Sequence, residues 1–154
     1  MRPGCAIVFA ALALGVAACG SDDGGGSSAT TSSGARLKGK IAVLLPDSKS
    51  SDRWETADRR FFVEAFQRAG LAKDDYLISN AEGDAVTQRS QAEQAISEGA
   101  KVILLVNLDP GSGAAIIDSA KAQGVTMVDY DRLTVGGHAD YYVSGDATEA
   151  GRLQ

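Results

Sequence analysis

The sequence of 154 residues has little of what several kinds of functional site require. One histidine and two cysteines leave few ligands for a His/Cys metal site, so we predict no metal. Acidic residues outnumber basic ones by 20 to 15, and the net charge of -5 argues against nucleic acid or an anionic membrane surface as the main partner. The nucleophile elbow Gly-x-Ser-x-Gly does not occur, and no apolar run reaches the roughly 18 residues of a membrane-spanning helix.

The first residues have the pattern of an export signal. A positive start at Met1-Arg2 precedes an uncharged apolar run from Cys5 to Leu14, and small residues lead to Cys19. The tetrad Val16–Cys19 resembles the bacterial lipobox, which implies cleavage before Cys19 and a diacylglyceryl group on its sulfur. We therefore predict a lipoprotein signal peptide over residues 1–18 and lipidation of Cys19. An ordinary signal peptide with a chance cysteine is the alternative.

A tether is predicted to follow the lipidated cysteine. Residues 20–35 consist only of Gly, Ser, Thr, Ala and Asp, which can bury almost no apolar area. We therefore expect the lipidated Cys19 and a flexible linker over residues 19–35, and a folded body over residues 36–154. Acylation of Cys19 would leave no disulfide in the mature chain, because Cys5 lies in the signal peptide.

The body alternates two hydrophobic patterns. The continuous apolar run at 41–45 predicts a strand buried on both faces, and further strands are predicted at 76–79, 102–106, 126–130 and 141–144. Apolar residues at helical spacing, followed by glycines, predict helices at 52–69, 84–98 and 112–123. We expect Asp52 to cap the first helix and Ser112 to cap the third. The alternation predicts an α/β fold, a three-layer Rossmann-like lobe with a mostly parallel sheet.

Polar side chains follow every predicted strand at its carboxyl end. In an open parallel sheet these ends meet at one edge, where ligands bind. Arginine and aspartate supply donors and acceptors for hydroxyl groups, and tryptophan supplies an apolar face for the C–H side of a sugar ring. The pattern favours a hydroxyl-rich ligand, and strand-end caps or surface polar residues are the alternative. The side chains concerned are Asp47, Arg53, Trp54, Asn80, Asn107, Asp109, Asp131, Arg132 and Asp146.

Several segments of the body carry a family resemblance: Lys40–Asp47, Asp52–Trp54, Asn80–Asp84, Thr87–Gln88, Gln91–Glu93, Asp129–Leu133 and Asp140–Ser144. They resemble the xylose-binding proteins of bacterial ABC importers. The resemblance spans residues 38–154 and implies the N-terminal lobe of a type I periplasmic binding protein. It also implies that Asp131 and Arg132 hydrogen-bond the sugar, and that the Arg53-Trp54 step contacts it from the first loop. Together with the strand-end amide, the candidate ligand-binding residues are Arg53, Trp54, Asn107, Asp131 and Arg132.

Two features depart from the family pattern. Gly145 stands where the family usually has an aromatic residue after the serine of the fifth strand. The family has two lobes, and the resemblance covers most of one, while residues 148–154 look like a helix that is just beginning. We therefore expect the lobe to be incomplete at its C-terminus, with the remaining sugar contacts in a second lobe and its hinge.

Two other motifs give weaker indications. Gly111-Ser112-Gly113 begins a nucleotide-binding pattern, but Ile116 stands where its third glycine belongs, so we predict a loop before a helix and no cofactor. His138 follows two glycines in a predicted loop, and a lone loop histidine is usually a solvated surface residue.

The leading hypothesis is a non-catalytic solute-binding lipoprotein outside the cytoplasm, in the periplasm or on the outer face of the cell membrane. It would capture a monosaccharide, xylose or a related pentose, between two lobes and deliver it to the membrane subunits of an ABC permease. Its membrane contact would be the lipid anchor alone, and it would bind no nucleic acid. A lipoprotein that presents its sugar to a membrane sensor is the alternative. The sensor core of a transcription factor and a lipoprotein enzyme have less support, since no basic DNA-binding segment or catalytic constellation is present.

Overall fold

A computed structural model describes residues 38–153. The predicted signal peptide, the predicted lipidation site Cys19 and the predicted linker lie outside the described residues, as does Gln154. None of the helices within residues 38–153 combines the length and the apolar character needed to cross a membrane.

Within this part of the chain, five parallel strands form one sheet in the order β2-β1-β3-β4-β5. The strands are β1 (Lys40–Leu45), β2 (Tyr76–Asn80), β3 (Ala100–Leu105), β4 (Thr126–Tyr130) and β5 (Tyr141–Val143). The apolar run of β1 explains its place inside the sheet, because its last four residues, 42–45, are fully buried between two layers. The prediction of an α/β fold with a mostly parallel sheet is confirmed.

Four helices connect and follow the strands in the described chain. They are α1 (Arg59–Arg68), α2 (Ala85–Ser97), α3 (Pro110–Ala122) and α4 (Ala147–Arg152). A wide π turn, Trp54–Asp58, runs directly into α1, and a short 3₁₀ turn, Lys73–Asp75, precedes β2. The wide turn was not predicted, since the sequence pattern favoured one continuous α-helix.

Helices cover both faces of the sheet. On one face α2 and α3 pack against β1, β3 and β4 around a core that includes Ala95, Ile117 and Met127. On the other face α1 brings Phe62 and Phe66 against a second core cluster. Complete burial of one large aliphatic side chain contributes about 1.5–3 kcal/mol, so both clusters stabilise the three-layer arrangement. The predicted three layers are thus confirmed.

Two predicted helix caps are wrong. Asp52 does not cap the first helix, because the chain already has helical dihedral angles at Arg53 and no side chain caps the turn that follows. The third helix begins two residues earlier than predicted, at Pro110, which is preorganised for a first helical position. Its cap is Asp109, whose Oδ1 accepts a hydrogen bond from the Ser112 backbone N–H at 2.9 Å.

The last strand, β5, lies at the edge of the sheet, and its side chains are exposed to solvent. Tyr141, Tyr142 and Val143 are 63%, 52% and 51% exposed. Since β5 pairs with β4 alone among the described strands, its outer edge is open to solvent. In the described body, this strand holds the chain directly after β4 by hydrogen bonds.

Candidate functional site

The carboxyl ends of the strands bring the five candidate ligand-binding residues to one edge of the sheet. Arg53 and Trp54 come from the loop after β1, Asn107 follows β3, and Asp131 and Arg132 follow β4. These positions are adjacent because β1, β3 and β4 are neighbours in the sheet. Parallel strands therefore deliver the three loops to the same place.

The indole of Trp54 lies beneath the polar groups at this edge of the sheet. The residue is only 2% exposed and belongs to the core cluster beneath α1. Two guanidinium groups lie over its indole, with the Cζ of Arg53 at 4.1 Å and the Cζ of Arg132 at 5.6 Å from the ring centroid. Each is close enough for a cation–π interaction, which holds the charged groups at the sheet edge.

Asp131 has a backbone conformation that few residues adopt. Its φ of 65° lies in the left-handed region, which costs most side chains roughly 1–2 kcal/mol and Asp somewhat less. Its backbone N–H donates to the Val143 carbonyl at 2.7 Å. Its carbonyl accepts from the Tyr142 hydroxyl at 3.3 Å and from the Ser144 hydroxyl at 3.2 Å. The β5 segment thus holds the turn in which Asp131 meets Arg53.

Arg53 and Asp131 form an ion pair across the site. The Nη2 of Arg53 donates to the Oδ1 of Asp131. Nearly half of the arginine side chain and about a third of the aspartate side chain remain exposed. Oδ2 of Asp131 and Nη1 of Arg53 have no hydrogen-bond partner within residues 38–153, so both are free to bind a polar ligand.

Arg132 is held from two other loops. Its Nη1 donates to the Asn107 carbonyl at 3.1 Å, and its Nη2 donates to the Ser50 hydroxyl at 3.4 Å. Ser50 is itself fixed by Asp47, whose Oδ2 accepts from the Ser50 hydroxyl at 2.7 Å. The backbone N–H of Ser50 also bonds Asp47 and, against the effect of burial, lowers the pKa of that carboxyl below its usual value. Asp47 is therefore a charged acceptor that organises the first loop.

Asn107 connects the site to the loop behind it. Its Nδ2 donates to the Thr134 hydroxyl at 2.7 Å, and that hydroxyl donates to Oδ1 of Asp129 at 2.7 Å. The Thr134 backbone N–H donates to the other oxygen of Asp129 at 2.8 Å. All three residues are at least nine-tenths buried, so the chain of hydrogen bonds fixes the loop that carries Arg132.

Other polar residues that follow the strands have structural contacts. Asn80 donates from Nδ2 to Glu55 Oε1 at 2.7 Å, and Asp109 caps α3. Asp146 caps α4 by accepting from the Thr148 and Glu149 backbone N–H groups, each at 3.0 Å. For these three residues, the alternative of strand-end caps and surface contacts describes the observed geometry.

Sequence reasoning missed two residues at this edge. Ser50 bonds Arg132, and Asp58 lies beside Arg53, with 3.6 Å between Oδ2 and Nε. Asp58 is five positions after Arg53, a spacing that places two side chains on different sides of an α-helix. The π turn, in which the Arg59 backbone N–H bonds the Trp54 carbonyl, brings them together.

Comparison with known families and proteins identifies the family of this chain. Residues 41–154 match the family of periplasmic binding protein domains. The chain belongs to this family. A multiple sugar-binding periplasmic protein of Azospirillum brasilense is 32% identical over 121 residues, which cover 78% of this chain and 32% of that protein. The D-xylose-binding periplasmic protein of Escherichia coli is 30% identical over 115 residues, covering 75% of this chain and 33% of that protein.

Solved structures of periplasmic binding proteins share the fold. A solute-binding protein of an ABC transporter from Clostridium phytofermentans, with bound β-D-glucose, matches with a TM-score of 0.64 and 27% identity. The match covers 73% of this chain and 34% of that one. The Caulobacter myo-inositol-binding protein, bound to myo-inositol, matches with a TM-score of 0.63 and 26% identity over 74% of this chain and 37% of that one. The chain thus spans about a third of the length of the relatives that it matches.

Proposed function

We propose that this protein is the sugar-binding receptor of an ABC importer, and that the edge formed by Arg53, Trp54, Asn107, Asp131 and Arg132 binds the sugar. The observation that carries the proposal is the convergence of two guanidinium groups over the indole of Trp54, with the carboxylate of Asp131 paired to one of them. The segments after β1 and β4 supply these groups, and Asn107 adds an amide from a third, after β3. A sugar offers what such a site needs, namely adjacent hydroxyls that can bond guanidinium and carboxylate groups at once.

Each group has a distinct role in the proposed complex. The fork of Arg132 donates to two adjacent hydroxyls, and the free Oδ2 of Asp131 accepts from a third. Arg53 donates from its free Nη1, and the buried indole of Trp54 supports the two guanidinium groups that contact the sugar. Asn107 contributes its side-chain oxygen, because its Nδ2 is already bonded to Thr134. The receptor catalyses no reaction, so binding and release are its whole chemistry.

The proposed ligand is xylose or a related pentose. Support comes from the D-xylose-binding proteins of Escherichia coli and Haemophilus influenzae, which are 30% and 32% identical to this chain over the matched regions. Relatives named for multiple sugars, and solved structures with glucose or myo-inositol, define the competing polyols. Gly145, which follows the fifth strand, has no side chain and therefore does not restrict which sugar can bind.

The proposal also covers where the protein resides and how it delivers its sugar. The relatives are periplasmic, which supports a place outside the cytoplasm. The lipobox-like tetrad supports a lipid anchor at Cys19 after removal of residues 1–18, with residues 19–35 as the tether. The described body would form one wall of the sugar cleft, a second lobe would close over it, and the closed form would dock on the permease.

Isothermal titration calorimetry of the full-length protein tests the proposal. We expect D-xylose to bind more tightly than D-glucose and myo-inositol, and leucine, as a solute without adjacent hydroxyls, to give no heat. Tighter binding of D-glucose or myo-inositol would correct the sugar but keep the receptor. Binding of leucine and of no polyol would overturn the proposal.

A further inference from the structure

Asp58 and Arg53 are neighbours because of the wide turn between them. In a π turn the hydrogen bond runs from residue i+5 to residue i, so side chains five positions apart come to the same side. The bond from the Arg59 N–H to the Trp54 carbonyl closes this turn. It brings Oδ2 of Asp58 to 3.6 Å from Nε of Arg53. Such turns interrupt α-helices frequently at functional sites.

Apart from Arg53, little in the described part of the chain stabilises the negative charge of the Asp58 carboxylate. The residue is only 9% exposed, and its Oδ2 is buried without a hydrogen-bond partner in the described part of the chain. Phe61, Phe62 and Tyr130 line the shallow groove beside it. A buried carboxylate without hydrogen bonds is costly unless a charge lies close by, and the nearby guanidinium of Arg53 supplies that charge.

Arg53 is thereby held from two directions. Asp58 approaches its Nε, while Asp131 accepts from its Nη2, and the plane of the guanidinium lies over Trp54. Loss of either carboxylate would leave one carboxylate and the Trp54 ring as contacts, with a side chain that is 45% exposed and able to turn into solvent. A ligand would then have to order the arginine before using it.

We infer that Asp58 is a positioning residue of the proposed sugar site, which holds Arg53 in its binding orientation and makes sugar affinity depend on its own charge. The inference rests on the proposed function, because it deepens the account of the same site. Asp58 does not need to contact the sugar, since it acts through Arg53.

The pKa of Asp58 sets the direction in which sugar affinity should change with pH. Burial raises the pKa of Asp58 above its ordinary value, Arg53 opposes that rise, and Asp131 adds to it. Tyr130 on β4 also interacts electrostatically with Asp58, and Arg68 on α1 lines the same groove. Above its pKa Asp58 is charged and holds Arg53. Protonation removes the hold, so sugar affinity should fall as the pH falls through the raised pKa.

A structural role alone predicts something different. If Asp58 only completed the packing of the turn, its replacement would lower the melting temperature and leave sugar affinity and its pH profile unchanged. The matched control is Glu93, an exposed carboxylate on α2 that pairs with Arg89 at 3.0 Å. Both substitutions, Asp58→Asn and Glu93→Gln, remove one charge from an ion pair without changing side-chain size.

The first measurement needs no sugar. In NMR titrations of the full-length protein, the Arg53 Nε–H resonance and the Asp58 carboxyl carbon should move with one shared midpoint, and the Arg53 shift should vanish in Asp58→Asn. Different midpoints, or an unchanged Arg53 titration in Asp58→Asn, would overturn the inference. Since the wild-type titration needs no variant, poor folding of Asp58→Asn would not prevent a decision.

The second measurement is calorimetry with D-xylose, D-glucose and myo-inositol between about pH 4.5 and 8. We expect Asp58→Asn to bind about five- to thirtyfold more weakly at pH 7.5, with a flat profile, Asp58→Glu to recover part of the loss, and Glu93→Gln to match the wild type. Equal affinities in Asp58→Asn and Glu93→Gln would overturn the inference. Wild-type protein that binds none of the three polyols would refute the proposed function instead, and the NMR result alone would decide whether Asp58 positions Arg53.

Discussion

Arg53 and Asp131 lie 78 positions apart in the sequence, yet the guanidinium of one donates a hydrogen bond to the carboxylate of the other. The pair joins the loop after β1 to the turn after β4, across the strand β3 that separates them in the sheet. Two of the proposed sugar-binding residues thus satisfy each other's charge before any ligand arrives. In the proposed complex, a sugar would add bonds to their free atoms without breaking the pair.

Replacement of Arg132 should weaken sugar binding by about tenfold to a few hundredfold. Hydrogen bonds to charged groups contribute on the order of 1.5–3 kcal/mol each, and every 1.4 kcal/mol is a factor of about ten in affinity. We expect Arg132→Lys to fail as well, because a point charge cannot replace the guanidinium fork. Calorimetry of both variants with D-xylose, together with their melting temperatures, checks this.

The matched control for that prediction is Arg89→Ala. Arg89 is an exposed arginine in an ion pair on α2, so its removal should leave affinity unchanged and cost at most about 1 kcal/mol of stability. Affinity of Arg132→Ala equal to that of Arg89→Ala would remove Arg132 from the proposed site, whatever its stability.

Substitutions at Asp131 should separate backbone conformation from charge. Asp131→Asn keeps a side chain that tolerates φ of 65°, so the free energy of unfolding should change little while sugar affinity falls. Asp131→Val places a β-branched residue in the left-handed region and should lower the free energy of unfolding by at least about 1–2 kcal/mol. Denaturant unfolding compares the two, and equal stabilities would contradict the conformational argument.

Gly113 should not tolerate alanine. A Cβ there would lie 2.8 Å from the Asn107 Cβ and 2.9 Å from the Thr134 Cγ2, two residues that are hydrogen-bonded to each other behind the site. The overpacking should cost about 1–3 kcal/mol and weaken sugar binding, because it moves the loop that carries Arg132. Gly111→Ala is the control, since its added Cβ would meet Asp109 Oδ1 at an ordinary 3.4 Å. Thermal unfolding in which both variants match the wild type would disprove the steric argument.

Lipidation of Cys19 can be tested in cells. If the tetrad ending at Cys19 acts as a lipobox, a labelled fatty acid should enter the wild-type protein and not Cys19→Ser. Cys5→Ser is the control, because the predicted signal peptide that contains Cys5 is removed. Equal labelling of the wild type and Cys19→Ser would contradict the lipid anchor.

The fold of the body could be predicted only in outline. Continuous apolar runs such as Ile41–Leu45 indicated buried parallel strands, and the structure has them within a residue or two of the predicted bounds. The error at the start of the first helix has a local cause, since a π turn and an α turn bury nearly the same apolar positions. Hydrophobic periodicity therefore could not reveal that Asp58 lies beside Arg53.

The sequence by itself determined which residues reach the sheet edge. Burial of apolar runs fixes where each strand ends, and whatever polar residue follows must lie at that end, as Asn107 and Asp131 do. Only the tertiary structure decided which of these residues touch. The Arg53–Asp131 pair, the approach of Asp58 and the bonds from Asn107 through Thr134 to Asp129 depend on which strands are neighbours and on the turn geometry. Contacts between loops that are distant in sequence leave no periodic pattern along the chain, because they arise when packing brings the loops together.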